Sequence, residues 1–323
     1  MAYGVSFPCV SPLGKIFLYL FALLLSGALA APQAWHLIHF LPPDLFHGLA
    51  GQVQGMPFHR YLSRSLQVSA IILLFPLLRS LRIRSLGEFG LIRNPRPWKD
   101  LGTGSASGLL CMALLLPILL LSGAFVANTG WFSGLLRALP GIVATAVVVS
   151  VLEEFLFRGV LLGFLRRVTI PSVAVTVSAI IFAAVHFLNL PHGSSAPLPV
   201  HWWSGLAALA AAGAAMPSLP MLVLAFMTLL TAGLILGWLT LRTGSLHAAI
   251  GLHAIFILGQ QLFNKAASFR LVPPDALLPF IGPAQCSGAV PVGLLPLAAL
   301  LLAGFLASVL LRKRPLPPES DWR

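Results

Sequence analysis

Two adjacent glutamates inside an apolar run are the residues of this 323-residue sequence best placed to do chemistry. Residues 151–162 read V-L-E-E-F-L-F-R-G-V-L-L, so Glu153, Glu154 and Arg158 lie in a stretch long enough to cross a bilayer. A charge at membrane depth costs roughly 3 kcal/mol and marks a functional site by default. The whole chain has only 8 acidic residues, which makes two side by side here a strong signal. On a helix Glu154 and Arg158 stand one turn apart on one face and can pair, which offsets much of their desolvation. Glu153 is rotated by about 100° and cannot share that contact equally. It is therefore the carboxyl suited to pass protons to and from water. A buried ion-pair network that only holds helices together is the competing reading, and the second, adjacent acid weighs against it.

Two further apolar segments carry imidazoles. One holds Phe182-x-x-x-His186, with Asn189 one turn on. The other holds His253, preceded by Thr243-Gly244-Ser245-Leu246-His247. A lone histidine on a helix is more often a satisfied core residue than a catalyst. Two of them on separate spans, in a chain with an intramembrane acid pair, point to one shared site. The chemistry that fits is water activation by Glu153 with help from one histidine. The water attacks a carbonyl carbon and a second histidine stabilises the oxyanion. Other intramembrane hydrolase patterns are missing. There is no H-E-x-x-H for a zincin-like site and no G-x-G-D aspartyl signature, and Ser107-Gly108 lacks the glycine two before the serine that a rhomboid-type motif needs. No cofactor is expected, with a metal left open: two histidines and a glutamate make a thin ligand set.

These residues need helices to carry them. The chain is 58% hydrophobic and 9% charged, with a mean hydropathy of +0.94, against about 25% charged residues in a soluble domain. The expected fold is an all-α polytopic membrane bundle of about eight transmembrane helices plus one interfacial or re-entrant helix. The spans are 16–31, 66–78, 103–127, 140–164, 171–190, 221–241, 245–263 and 292–311. Residues 16–31 read either as a signal peptide ending in G-A-L-A-A-P or as an uncleaved first helix, and the second reading is favoured. Residues 32–64 read as a loop with four histidines, His36, His39, His47 and His59, without partners for a metal site. Residues 202–216 are too few to span and begin at Trp202-Trp203, which suits a membrane interface. Gly and Ser at the start of the 103–127 span permit close helix packing.

The net charge of +12 does not indicate nucleic acid, because the basic residues fall in short clusters between apolar runs. The cluster from Arg79 to Lys99, with Arg166-Arg167, Arg242 and Arg312-Lys313-Arg314, lies on one side if 202–216 does not cross. That places both termini in the cytoplasm and the protein in the inner membrane as a multi-pass protein. Lys265 and Arg270 fall on the opposite side. Three regions follow: 1–102, an N-terminal two-helix segment with a basic loop; 103–311, the intramembrane core with a C-terminal helix; and 312–323, a flexible tail. Cys9, Cys111 and Cys286 form neither a metal-like pair nor a disulfide framework.

Depth gives a check at about 1.5 Å per residue. From the cytoplasmic ends Glu154 lies about 15 Å in, His253 about 12 Å and His186 about 23 Å, so His186 is mismatched by about two turns.

With these motifs in order, the sequence resembles the CAAX prenyl endopeptidase type II and bacteriocin-processing (CPBP, or Abi) family of glutamic intramembrane proteases, over about residues 86–263. Its E-E-x-x-x-R motif stands as Glu153, Glu154 and Arg158, its F-x-x-x-H motif as Phe182 and His186, and its G-S-L segment as Gly244-Ser245-Leu246 leading to His253. The resemblance implies an intramembrane endopeptidase with a cavity open to cytoplasm and bilayer. Glu153 would be the general base, His186 would assist with water, His253 would bind the oxyanion, and Glu154 and Arg158 would support them. Ile257 stands where the family often has Asn, which removes an oxyanion donor; Asn189 and Gln260 are candidate substitutes. The expected partners are membrane lipid and a protein or peptide substrate, with processing near its C-terminus as one form, and no nucleic acid. Two other classes remain: a degenerate membrane immunity or binding protein of the same fold, and a proton-coupled transporter. The transporter is disfavoured because the acids and histidines are not duplicated between halves.

Overall fold

A helix covers most of each expected span, although the 103–127 span ends in a short strand, Phe125–Ala127, and residues 188–190 and 292 lie outside the described residues. The computed structural model describes residues 12–46, 48–80, 94–187, 199–214, 219–269, 279–282 and 293–312. Among the described residues, five segments are long and apolar enough to cross a membrane: Gly14–Phe40, Phe58–Ser80, Pro97–Leu121, Gly134–Val168 and Leu219–Thr243. Pro171–His186 and Leu294–Leu310 are shorter apolar helices, and His247–Ala266 is a more polar one. The protein is an all-α membrane bundle. Its chain forms two compact units, one from residues 1–84 and 190–215, the other from 85–189 and 216–323.

The first unit holds α1 (Pro12–Phe40), α2 (Leu49–Gln54), α3 (Phe58–Ser80) and α8 (Ser204–Ala214). Here the structure corrects the sequence reading: most of 32–64 is helical rather than a loop. α1 runs unbroken through Pro32 because Trp35, Leu37, Ile38 and Phe40 keep the segment apolar, and a membrane helix tolerates a proline. Ala28 and Ala31 pack with Phe58 and Leu62 in a small core that also takes Val200 and Ala208. His36 and His39 serve this packing. Nε2 of His36 bonds the Val200 carbonyl at 3.0 Å, and Nδ1 of His39 bonds that of Trp35 at 2.9 Å. His47 lies outside the described residues. α8 has 11 residues, about 16 Å of helix, which falls short of a bilayer core. Its Gly205 rests against the Ala28 carbonyl, where no Cβ would fit.

The second unit carries the catalytic candidates. Its elements are α4 (Pro97–Leu121), α5 (Trp131–Glu154), a π-helical segment (Phe155–Leu161), α6 (Leu162–Val168), α7 (Pro171–His186), α9 (Leu219–Thr243), α10 (His247–Ala266) and α11 (Leu294–Leu310). α4 and α10 pack backbone to backbone through small residues. Gly104 meets the Ala248 carbonyl and Gly251 the Leu101 carbonyl, while Gly108 faces Leu252 and Ile255 and Gly259 faces Met112. Without a hydrophobic drive between helices in lipid, such close approach is what holds them. Gly104→Val therefore overpacks the contact and is expected to destabilise by about 1–3 kcal/mol or more. Gly102→Val, two residues away with nothing within 4 Å of its would-be Cβ, is the control. Detergent-solubilised melting curves check this; equal losses for both variants would refute the packing argument.

α9 turns into α10 through Gly244, whose φ of 65° is left-handed and costs a glycine nothing. Ser245 N–H donates to the Thr240 carbonyl at 3.3 Å, closing a Schellman-type turn. Asn94 Nδ2 donates to Asp100 Oδ2 at 2.8 Å and to Ser245 Oγ at 2.9 Å, and Ser245 Oγ also lies 2.6 Å from His247 Nδ1. This polar cluster pins the start of α10 to the start of α4. One feature was not anticipated: β1 (Phe125–Ala127) pairs antiparallel with β2 (Ala267–Phe269). Three residues are too few for an alternating pattern to register in sequence.

Candidate active site

The last two residues of α5 are Glu153 and Glu154, and the helix then loosens into the π-helical segment that contains Arg158. Such wider turns occur often at functional sites. Ser178 of α7 donates to the Phe157 carbonyl in this segment at 3.0 Å, binding the two arms together. The chain then reverses at Thr169–Ile170, with Pro171 opening α7. This hairpin removes the depth mismatch. The helical run continues to Val168 rather than ending near residue 164, so Glu153 stands fifteen residues before that helix end and His186 fifteen after Pro171. They reach the same level.

Five of the six residues singled out in sequence come together. Glu153 Oε2 lies 3.6 Å from His186 Nε2 and 3.8 Å from His253 Nε2. Glu154 Oε1 lies 2.7 Å from His253 Nδ1 and accepts from Arg158 NH1 at 2.9 Å. The two glutamates differ sharply in access: the Glu153 side chain is 29% exposed and that of Glu154 0%. One faces the outside of the helix packing while the other is sealed within it. Asn189 lies outside the described residues.

Arg158 is buried and well answered. Its NH2 donates to the Gly233 carbonyl of α9 at 3.3 Å, and its guanidinium sits 4.2 Å from the centroid of the Phe182 ring. Gly233 can serve because α9 and α7 touch there: a Cβ would meet Ala179 at 2.9 Å. The Phe182 ring also lies 4.3 Å from the His186 ring and 6.0 Å, edge-on, from that of His253. Sequence reasoning missed Gly233 and Ser178. A glycine and a serine in apolar helices look like packing residues, and only the fold reveals what their backbone and hydroxyl receive.

The hydrogen bonds also assign the ring protons. The Phe182 carbonyl can only accept, so His186 Nδ1, 2.8 Å away, carries hydrogen and its Nε2 faces Glu153. A carboxylate likewise only accepts, so against ionised Glu154 the His253 Nδ1 carries hydrogen and its Nε2 also faces Glu153. Three protonatable atoms from three helices thus surround one small volume. Glu153 Oε2 is buried there without a hydrogen-bond partner among the described residues. The arrangement can move protons between a carboxylate, two imidazoles and a small polar molecule.

Comparison with known proteins agrees with the motifs. Residues 135–258 match the family model for type II CAAX prenyl endopeptidase Rce1-like proteins, a span that runs from α5 to α10 and contains every residue of the cluster. No curated protein and no solved structure matched the chain. Over residues 135–258 this multi-pass membrane protein is therefore similar to the Rce1-like CAAX endopeptidases, a family of proteases.

Proposed function

We propose that the protein is an intramembrane endopeptidase that hydrolyses a peptide bond of a membrane-associated protein or peptide with a glutamate-activated water. The observation that carries this reading is the approach of His186 and His253, from two other helices, to within 4 Å of Glu153. Glu153, with His186 beside it, takes a proton from water as the water oxygen bonds to the carbonyl carbon. The carbonyl π electrons move to oxygen, and His253 faces that charge. Collapse re-forms the carbonyl, breaks the C–N bond and returns the proton to the leaving nitrogen. The products are a carboxylic acid and an amine, which after proton exchange leave as a carboxylate and an ammonium group. Glu153 is the general base because it alone of the two acids is accessible. The charge pattern of the loops supports an inner-membrane protein with both termini cytoplasmic.

The test compares membrane proteomes of a deletion strain, the same strain carrying the wild-type chain, and one carrying Glu153→Gln. A membrane protein or peptide should keep an unprocessed terminus in the first and third strains only. Ile257, in place of an amide donor, favours a second reading as a binding or immunity protein. Under that reading Glu153→Gln complements the deletion fully and no unprocessed species accumulates.

A further inference from the structure

The polar cluster at the starts of α4 and α10 takes no part in the chemistry above, and its hydrogen bonds determine the tautomer of its histidine. Asn94 Oδ1 accepts from the Arg96 N–H at 2.9 Å, which sets the amide so that Nδ2 is the donor. The two Nδ2 hydrogens go to Asp100 Oδ2 at 2.8 Å and to Ser245 Oγ at 2.9 Å. The His247 N–H also donates to Ser245 Oγ, at 3.2 Å. A hydroxyl oxygen has two lone pairs, and these two donors fill them. The Ser245 hydrogen must then go to His247 Nδ1, 2.6 Å away. That nitrogen is therefore bare, and the closed cluster requires a neutral His247 with its hydrogen on Nε2. Ser245 and Asp100 are buried, whereas His247 is half-buried, so a proton can reach its ring.

A proton on Nδ1 does not fit this arrangement. Ser245 Oγ would face three donors with two lone pairs and must give one up. The His247 N–H belongs to the first turn of α10, where no helical carbonyl receives it. Asn94 keeps its bond to Asp100, so it lets go at the lower cost. The added charge also sits at the N-terminus of α10, against the helix dipole. The open form has a partner of its own, because the Asp100 carboxylate of α4 is within electrostatic reach of the ring. Among the described residues, the other charges on elements packed against α10 are engaged elsewhere or face outward. Lys99 of α4 and Arg96 before it are exposed, and Arg242 of α9 donates through NH2 to the Leu311 carbonyl. On α5, Glu154 is held by Arg158 and His253, with Glu153 toward the two imidazoles, and β2 carries no charged residue.

We propose that Asn94, Ser245 and His247 form a proton-sensitive latch: with His247 neutral it holds the start of α10 to the start of α4, and protonation of the ring releases Asn94 and opens it. The trigger is acidification below about pH 6.5, where a histidine takes up its proton. The latch contributes stability at neutral pH that is lost as pH falls, since the unfolded chain accepts the proton freely. The consequence for the candidate active site runs along the helix. His253 stands six residues after His247 on α10, about 9 Å further along. A shift at the start of α10 is carried to the 2.7 Å contact between His253 and Glu154. Control of cleavage by pH in this way rests on the hydrolytic reading above; the latch itself does not.

Three measurements test it. In detergent-solubilised protein labelled with 15N-histidine, the His247 signals are those missing from His247→Asn. A neutral ring with bare Nδ1 is expected at about pH 7.5, and a protonated Nδ1 there overturns the proposal. Melting temperatures are then compared at about pH 7.5 and about pH 5.5. Asn offers a carbonyl oxygen where Nδ1 stands and takes no proton, so His247→Asn keeps the latch closed. Wild type is expected to lose about 2 °C or more relative to this variant on acidification. Every other histidine titrates in both proteins, so the difference belongs to His247. Asn94→Leu has no latch at either pH; it should melt below wild type at the higher pH and draw level at the lower, which carries the test if His247→Asn does not fold. Gaps that stay constant with pH overturn the proposal. In proteoliposomes with the processed substrate, wild type should lose about twofold more cleavage than His247→Asn over the same range, and equal losses overturn the link to His253. Wild type that cleaves nothing counts against the hydrolytic reading and leaves the tautomer and melting results to decide the latch.

Discussion

Glu153→Gln is expected to reduce kcat by at least about 10³-fold, the upper range for loss of a positioned general base, while leaving the folded protein intact. The amide keeps the shape of the carboxyl and can still hydrogen-bond a water between the two Nε2 atoms, so substrate binding should change little. It cannot take that water's proton at any accessible pH. The stability cost should stay below about 1 kcal/mol, since the side chain is part exposed and shares in no salt bridge to arginine or lysine among the described residues. The signature is a lost kcat with KM and melting temperature near wild type. His186→Gln should lose less, because Glu153 can still act directly. Undiminished turnover by Glu153→Gln would remove this residue from the chemistry and with it the role assigned to the cluster.

The contrast between the two glutamates was partly legible in the sequence. The four-residue spacing of Glu154 and Arg158 set the pair apart from Glu153, and helical rotation alone separates them. The contact of His253 with both acids was not legible, because it depends on how closely α10 approaches α5. That in turn rests on the glycines that seat α10 against α4, and on the Gly244 turn that sets where α10 begins. The depth of His186 was misjudged for a related reason. Residues 165–168, including Arg166 and Arg167, look like a cytoplasmic end, yet the helix continues through them to the turn at Thr169–Ile170. Basic clusters mark the side of the membrane and do not mark where a helix stops. Apolar spans were legible throughout, since bilayer length imposes them on composition. The 32–64 segment was misread because histidines and prolines weakened a helix signal that packing onto α3 restores.

Arg158→Leu should be the most destabilising single change in the core. The side chain is nearly fully buried, and its removal leaves the Glu154 charge sealed without its cation. Breaking one partner from a buried pair costs about 3–5 kcal/mol. The lost contact with the Phe182 face adds to this, on the order of 1 kcal/mol for a desolvated cation–π pair. His253, bonded to the same Glu154 oxygen at 2.7 Å, still gives that carboxylate a hydrogen bond, which argues for the lower end of the range. Replacing both partners, as Glu154→Leu/Arg158→Leu, should recover most of the loss, because a well-packed apolar pair is often as stable as the buried ion pair it replaces. Activity should not recover with it, since His253 then has no carboxylate on Nδ1. Unfolding in mixed detergent, with the coupling read from a double-mutant cycle, separates the two effects. If Arg158→Leu melts like wild type, the pair contributes nothing to the fold. If the double variant regains cleavage along with stability, Glu154 matters to catalysis only as a partner for arginine.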